Sequence, residues 1–565
     1  MHATRHALRF RRAWMISLAV VSAALLFKPG TARLQEPPQP PAMDLSPSML
    51  PVRESHPKMQ TALARLAAIE EREGSEAAAA FAQRRRMTWS DGGVRVITET
   101  VTGEMAGAAG TIVPQVSGHI QALGGTIQTS HRNRIQHILP AAALKALAAD
   151  PQVAYIRLPL RPFKQAVISE GVSKTGADKW RDLAAFRNGT PAKIAILDLG
   201  FMGYSSLLGK ELPAKVTTRS FRADGDLSAF EDHGAACAEI VYDMAPNAEL
   251  YLVNIDTDVE QSQAVEWLNS KKVDVISYSL GWFNAGAGDG SGPIDADVAA
   301  SNAQWAVSAG NGALDHWDGL FNDPDADGLL NFSGSDELLD FYVPAYETVG
   351  AFLNWKDWGV YNGYDYPGSN QDYDLYLYIW NGSSYQFVDS STNDQTGSQW
   401  PTEEVYGWYS TTSTYWAVAI HKHSANRSLK LELFIVGNSK AIEYNVPARS
   451  ISIPADSPDA LTAGATDAVS DLYHSYSAQG PTHDGRMKPD LGSPSGVSTS
   501  TYGPDNFYGT SASAPHLAGA LGLIKGGTPY TMAQIISILK TRAVDLGDPG
   551  PDYKFGYGRL NVKKR

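Results

Sequence analysis

Cysteine is all but missing: Cys237 is the only one in 565 residues. An intrachain disulfide is therefore excluded, and stability must come from packing, with or without bound metal. Charge is sparse as well, with Asp, Glu, Lys and Arg together making 19% of the chain, which argues against a largely disordered polyelectrolyte. Its balance is negative, formally −13, and no basic stripe interleaved with aromatics is present. Both features read against a nucleic-acid partner. Long apolar runs are absent except near the start, where Met15–Phe27 is apolar, shorter than the ~20 residues a membrane helix needs.

What is there begins with that run. It follows Arg5, Arg9, Arg11 and Arg12 and precedes the small residues Gly30 and Ala32, the order of a cleavable export signal. Residues 1–32 are read as a signal peptide and the protein as secreted or periplasmic, with no membrane span after signal removal. The length exceeds what one core serves, so several domains are expected. Residues 33–92 form a lead-in, Pro-rich over 33–56 and then rich in Ala, Glu and Arg from Lys58 to Arg86, the composition of a solvated helix. Over 93–165 the pattern is strand, helix, strand, strand, helix, strand, with strands at Val94–Val101, Thr126–Ser130, Arg134–Leu139 and Gln152–Leu158. That order predicts a ferredoxin-like α+β unit.

From Ala192 onward, short apolar strands alternate with helical segments: Lys193–Leu197, Glu249–Asn254, Val273–Ser279 and Trp305–Ala309. This predicts an α/β fold, a parallel sheet with helices on both faces, whose ligands bind beyond the carboxyl ends of the strands. Residues 313–444 interrupt it with a Tyr-, Trp- and Asp-rich stretch of β character, read as an inserted antiparallel β-sandwich. In its segment Ser428–Val436, Leu429, Leu431, Leu433 and Ile435 alternate, the period of a half-buried strand. The α/β pattern resumes over 445–565.

Residues able to do chemistry fall at the predicted strand ends and helix starts. Amide hydrolysis needs a nucleophile, a base, a group orienting the base, and donors for the oxyanion. The apolar strand Ile194–Leu197 ends in Asp198, placed to orient a base. His233 opens a helix followed by small residues from Gly234 to Ala236, which suits a general base facing a cleft. Trp305–Ala309 delivers Gly310 and Asn311, whose amide can donate to an oxyanion. Gly509-Thr510-Ser511-Ala512-Ser513-Ala514-Pro515 starts a helix, and the amides there favour negative charge beside Ser511, the candidate nucleophile.

With these flanks, the order Asp198, His233, Asn311, Ser511 resembles the subtilisin-like serine peptidases, or subtilases, over about 190–312 and 445–565. Ala245-Pro246-Asn247-Ala248, Ser279-Leu280-Gly281 and the stretch from Gly480 to Asp490 extend the likeness. The resemblance implies a catalytic domain made of 166–312 and 445–565, a triad of Asp198, His233 and Ser511, and Asn311 as oxyanion donor. It further implies that Ser279, Leu280 and Gly281 pair with the backbone of protein or peptide substrates. The unit at 93–165 is then a propeptide that inhibits the enzyme intramolecularly until self-cleavage between about Leu158 and Val167. The sequence departs from the family pattern at Leu199 and Ala235-Ala236, neither of which removes a reacting group.

No cofactor is required for this chemistry. Asp323, Asp325 and Asp327 alternate before Gly328 like the first half of a calcium loop, but Gly334 replaces the acid that would complete an EF-hand, so two readings stand: a looser structural calcium site completed by other oxygens, or a solvated acidic turn. His421 and His423 alternate on a strand and are read as exposed polar residues. A protein that is catalytically silent and binds a surface through the β insertion is the competing class; intact reacting groups speak against it. A glutamate-based serine-carboxyl mechanism is the other alternative, opposed by His233 in its flanks.

Overall fold

The structure, a computed structural model, describes residues 39–40, 55–85, 87–90, 92–101, 109–160, 170–181, 190–407, 410–438 and 440–563. The export signal, most of the Pro-rich lead-in and residues 161–167 of the expected cleavage window lie outside the described residues. No helix among the described residues is long and apolar enough to cross a membrane.

The central element is a seven-stranded sheet in the order Leu491–Ser495, Ala460–Asp467, Gln304–Ser308, Val275–Tyr278, Lys193–Asp198, Glu249–Asn254, Thr217–Ser220. Every pairing in it is parallel. Strand Lys193–Asp198 shows why its sequence is a continuous apolar run. Ile194 and Ile196 point into one core, shared with helices His233–Met244 and Thr510–Gly527, while Ala195 and Leu197 point into the opposite core, under helix Asp258–Lys271. Both faces are covered, so both registers are apolar. Small residues let the first pair of helices close up: a Cβ on Gly519 would come within 2.3 Å of the Met244 side chain.

Ahead of this lies an antiparallel sheet in which Val153–Arg157, Gly93–Thr100, Arg134–Pro140 and Thr126–His131 stand side by side. This is the ferredoxin-like order the sequence predicts, with Trp89–Ser90 added as a short antiparallel partner at the start of Gly93–Thr100. The second helix is a 3-10 turn, Ala141–Ala143, running into Leu144–Ala148. The Lys58–Arg86 stretch differs from the solvated helix expected of it. It forms two helices, Thr61–Glu73 and Ser75–Arg84, separated at Gly74. Leu63, Leu66, Ala67, Ala78 and Ala82 bury a narrow stripe in the same core as Val94 and Val96, enough to fix the pair on the sheet despite a charged composition.

The insertion is a β-sandwich of two four-stranded antiparallel sheets. One contains His316–Leu320, Lys430–Val436, Val349–Trp355 and Thr402–Gly407; the other contains Leu339–Val343, Thr414–Lys422, Tyr373–Trp380 and Tyr385–Ser391. In Lys430–Val436, Leu431, Leu433 and Ile435 enter the sandwich core as their alternation predicts. The opposite face is not solvated, since Glu432 and Phe434 are only 8% and 6% exposed. They lie against the parallel-sheet unit, where Phe434 packs on Phe283 with ring centroids 4.8 Å apart.

Candidate active site

Asp198 ends its strand fully buried. One of its carboxylate oxygens accepts from the Leu199 N–H at 2.8 Å. His233, equally buried, is the first residue of helix His233–Met244, and its Nδ1 stands 2.9 Å from each Asp198 oxygen. Donation from Nδ1–H to the carboxylate leaves Nε2 as the proton acceptor of the ring. The residue after the histidine has to be glycine, because a Cβ there would sit 2.6 Å from the Gly200 carbonyl oxygen and 2.9 Å from the Asp198 Cβ. The Phe507 ring meets the imidazole edge-on at 6.3 Å between centroids.

Ser511 is the second residue of helix Thr510–Gly527, whose cap Gly509 takes φ 133, a value side chains rarely tolerate. Its hydroxyl donates to the Ser279 carbonyl at 3.2 Å, and its own carbonyl accepts from the Ser279 hydroxyl at 3.0 Å and from the Cys237 thiol at 3.6 Å. Asn311 is tied to the same helix start: its Oδ1 accepts from the Thr510 N–H and the Thr510 hydroxyl, each at 2.9 Å. The Thr510 hydroxyl in turn accepts from Gly310 N–H at 3.2 Å. With the Asn311 oxygen held this way, its NH2 group is the end that remains for a ligand.

Of the segment expected to line the cleft, Ser279 touches Ser511 directly, Leu280 is fully buried in the core, and Gly281 abuts Ser452, which a Cβ would approach to 3.1 Å. Cys237 lies one helical turn beyond His233, and polar atoms of Asp198, His233 and Cys237 lie within 4.8 Å of one another. Burial, reinforced by the Asp198 charge, pushes the thiol well above its usual range, so it is a neutral packing group there.

Sequence reasoning passed over Thr510, Tyr476, Ser495 and Phe507. Thr510 stands inside the Gly-Thr-Ser motif and was legible. The Tyr476 and Ser495 hydroxyls both accept from the Gly509 N–H at 2.9 Å, but they arrive from segments that carry no local signature.

Polar atoms of Asp323, Asp325 and Asp327 also lie within 4.8 Å of one another. Asp323 is engaged already: its two oxygens accept from the Asp327 and Gly328 N–H groups at 3.1 and 3.2 Å, and Lys422 Nζ is 3.6 Å away. Asp374 on strand Tyr373–Trp380, His421 on its neighbour Thr414–Lys422 and His423 just past the end of that neighbour form a second such group. His421 is largely covered rather than exposed, with its side chain 19% accessible and Nδ1 3.5 Å from buried Asp374.

A buried Asp–His pair and a serine at the start of a neighbouring helix, on a parallel α/β sheet, are parts that serine hydrolysis needs. The comparisons agree with that chemistry. The subtilase family model matches residues 377–558, a range that starts inside the sandwich and takes in Ser511 but not Asp198, His233 or Asn311. An extracellular serine protease of Serratia marcescens is 29% identical over 206 residues, 32% of this chain and 18% of that protein. Bacillopeptidase F of Bacillus subtilis (strain 168) is 30% identical over 139 residues, 23% of this chain and 10% of that protein. The chain thus spans under a fifth of the length of these relatives. A backbone likeness to the structure of the Clostridium perfringens CspB protease covers 70% of this chain and 97% of that one, with a TM-score of 0.46 at 14% identity. Over the matched residues the chain is similar to the subtilase, or subtilisin-like, family.

Proposed function

We propose that the protein is an exported serine endopeptidase that matures by cutting off its own N-terminal unit. In this reading Ser511 attacks the peptide carbonyl after its hydroxyl turns from Ser279 to the imidazole. His233 takes the proton at Nε2 and later delivers it to the leaving amine. Asp198 holds the tautomer and stabilises the imidazolium, and the Asn311 NH2 group meets the oxyanion as it forms. General-base transfer of this kind contributes about 100- to 10,000-fold. The observation that carries the reading is the fully buried His233 Nδ1 bonded at 2.9 Å to both Asp198 oxygens, in one core with the start of the Ser511 helix. The N-terminal sheet is then an inhibitory propeptide, and the acidic turn at Asp323, Asp325 and Asp327 is a calcium site with a structural role only. Labelling of purified mature protein by a fluorophosphonate tests the chemistry: wild type should be labelled and Ser511→Ala should not. An unlabelled wild type refutes it.

A further inference from the structure

Helix Thr61–Glu73 starts at Gln60, whose side chain makes no capping bond. Its cap comes from the sandwich instead. Asn393 Oδ1 accepts from the Thr61 N–H at 2.7 Å and from the Thr61 hydroxyl at 2.9 Å. Helix starts leave backbone donors unpaired, and asparagine is among their best acceptors. Asn393 is braced from within its own domain: its N–H donates to one oxygen of buried Glu403 and its Nδ2 to the other, each at 2.8 Å. The capping oxygen is therefore aimed by groups that owe nothing to the helix.

Beside it, Asp389 and Ser390 receive two guanidinium groups. Arg65 donates to the Ser390 carbonyl at 3.0 Å and to its hydroxyl at 2.8 Å, and lies 3.4 Å from Asp389. Arg85 pairs with Asp389 and donates to the Ser390 carbonyl at 3.0 Å. Asp389 is held in place by the N–H groups of Ser390 and Tyr406 at 2.9 and 3.3 Å. Arg85 and Asp389 are each 6% exposed, so both charges are largely withdrawn from water.

We propose that the inserted sandwich is a second receptor for the pro-region. It is a preorganised site in which Asn393 caps helix Thr61–Glu73 while Asp389 and Ser390 take Arg65 and Arg85, separate from the contacts of the N-terminal sheet with helix Asp258–Lys271. The proposal rests on the reading of the N-terminal unit as a removable pro-region. Its consequence is that a cut after the last propeptide strand does not by itself free the fragment. Departure strips a buried carboxylate of its cations and a helix of its cap, and both losses slow release.

The test uses the full chain with Ser511→Ala, carrying a recognition sequence for an unrelated site-specific protease between residues 161 and 169. After the external cut, dissociation of the N-terminal fragment is followed by native mass spectrometry. Arg85→Ala should loosen the fragment about 100-fold. Adding Asp389→Asn, which removes a buried carboxylate left with only the longer Arg65 contact at 3.4 Å, should recover about tenfold of that loss. Asn393→Ala should loosen it about tenfold. Parent-like retention of the Arg85→Ala fragment, or no recovery on adding Asp389→Asn, overturns the proposal. Should the Arg85→Ala chain fail to fold before cutting, Asn393→Ala decides alone, since it leaves both guanidinium contacts of Asp389 in place, and parent-like retention there overturns it. Because the cut is external, a wild-type chain that never cleaves itself would refute the pro-region reading and leave this result standing.

Discussion

The parallel-sheet unit is held by two neighbours in different ways. Against the N-terminal sheet it offers charge: the buried Asp258 carboxylate takes Arg134 at 2.7 Å and Arg157 at 2.9 Å, with Glu99 on the far side of Arg157 at 2.8 Å and Arg95 on Asp256 at 2.8 Å. Against the sandwich it offers aromatics: Phe283 lies on Phe352 and Phe434 with centroids 5.0 and 4.8 Å apart. Ionic points are present in that interface too, Glu432 with His483 and Asp318 with Arg449, each at 2.9 Å, but the aromatic cluster is its apolar centre. Permanent interfaces resemble a core cut in half, whereas separable ones are polar. The polar interface belongs to the unit proposed to leave, and the aromatic one to the unit proposed to stay.

Removing the reaction would break this contrast most severely, since the polar interface would never be called on to part. Ser511→Ala should lower kcat by about 10⁶-fold, the size of the loss when subtilisin loses its serine, and the purified chain should keep its N-terminal unit. Gel mobility after expression in a protease-deficient host checks this. A variant that matures like wild type shows that processing is done by another enzyme.

Next in size are the interfaces themselves. Arg134→Ala leaves Asp258 with one guanidinium partner, a loss of about 3–5 kcal/mol by analogy with other buried pairs, expressed after processing as faster release of the N-terminal fragment. Phe434→Ala should cost about as much, 3–5 kcal/mol, but as a lower melting temperature of the mature protein. If Phe434→Ala speeds fragment release while Arg134→Ala leaves it unchanged, the two interfaces have been assigned the wrong way round.

A smaller effect should come from pH, because buried carboxyls are treated differently in the two regions. Charge from Arg157 and Arg134 holds Asp258 below the usual range although burial alone would raise it. In the sandwich, Asp340 accepts from the Tyr385 hydroxyl at 2.6 Å, and burial raises it to about 7. A carboxyl raised on folding contributes stability that is fully present below its unfolded value, and that stability is lost as pH rises through the folded one. The sandwich should therefore melt several degrees lower at pH 8 than at pH 5, and Asp340→Asn should flatten the difference. Asp258 works in the opposite sense, with its contribution present above its unfolded value and lost only in acid. Calorimetry across pH 4–8 separates the two; a pH profile untouched by Asp340→Asn rules this carboxyl out as the cause.

These same residues show what the sequence could and could not convey. Asp198, His233, Asn311 and Ser511 stand at strand ends and helix starts, where a few neighbours such as Gly234 and Gly509 declare the local geometry. The strand order of the N-terminal sheet was readable for the same reason, since periodicity and turns are local. Arg65, Arg85, Arg134 and Arg157 were not: a basic residue in a helix or strand reads as a solvated face. The partner that buries it is, for Arg85 and Asp389, 304 residues away. The alternation in Lys430–Val436 likewise announced one apolar face but could not reveal that Glu432 and Phe434 meet another domain.

The smallest expected effect, calcium at the acidic turn, would sharpen the contrast by acting on the sandwich alone. The turn is shaped without an ion: Ala326 takes φ 62 and Gly328 φ 93, and the Asp323 oxygens already accept backbone N–H groups. Binding must also displace Lys422, 3.6 Å from Asp323, so the affinity should be modest, like the 10⁻⁴–10⁻³ M of roughly comparable extracellular sites. At ten times such a dissociation constant the gain is only about 1.4 kcal/mol. In scanning calorimetry of the full chain, millimolar calcium should raise the sandwich transition by a few degrees over EDTA and leave fragment release unchanged. Asp325 is exposed and takes no part in the backbone bonds that Asp323 accepts, so Asp325→Asn should abolish the calcium response without disturbing the turn. A shift of equal size in Asp325→Asn would mean that the ion binds elsewhere, and the neighbouring Asp374, His421 and His423 would be the next residues to replace.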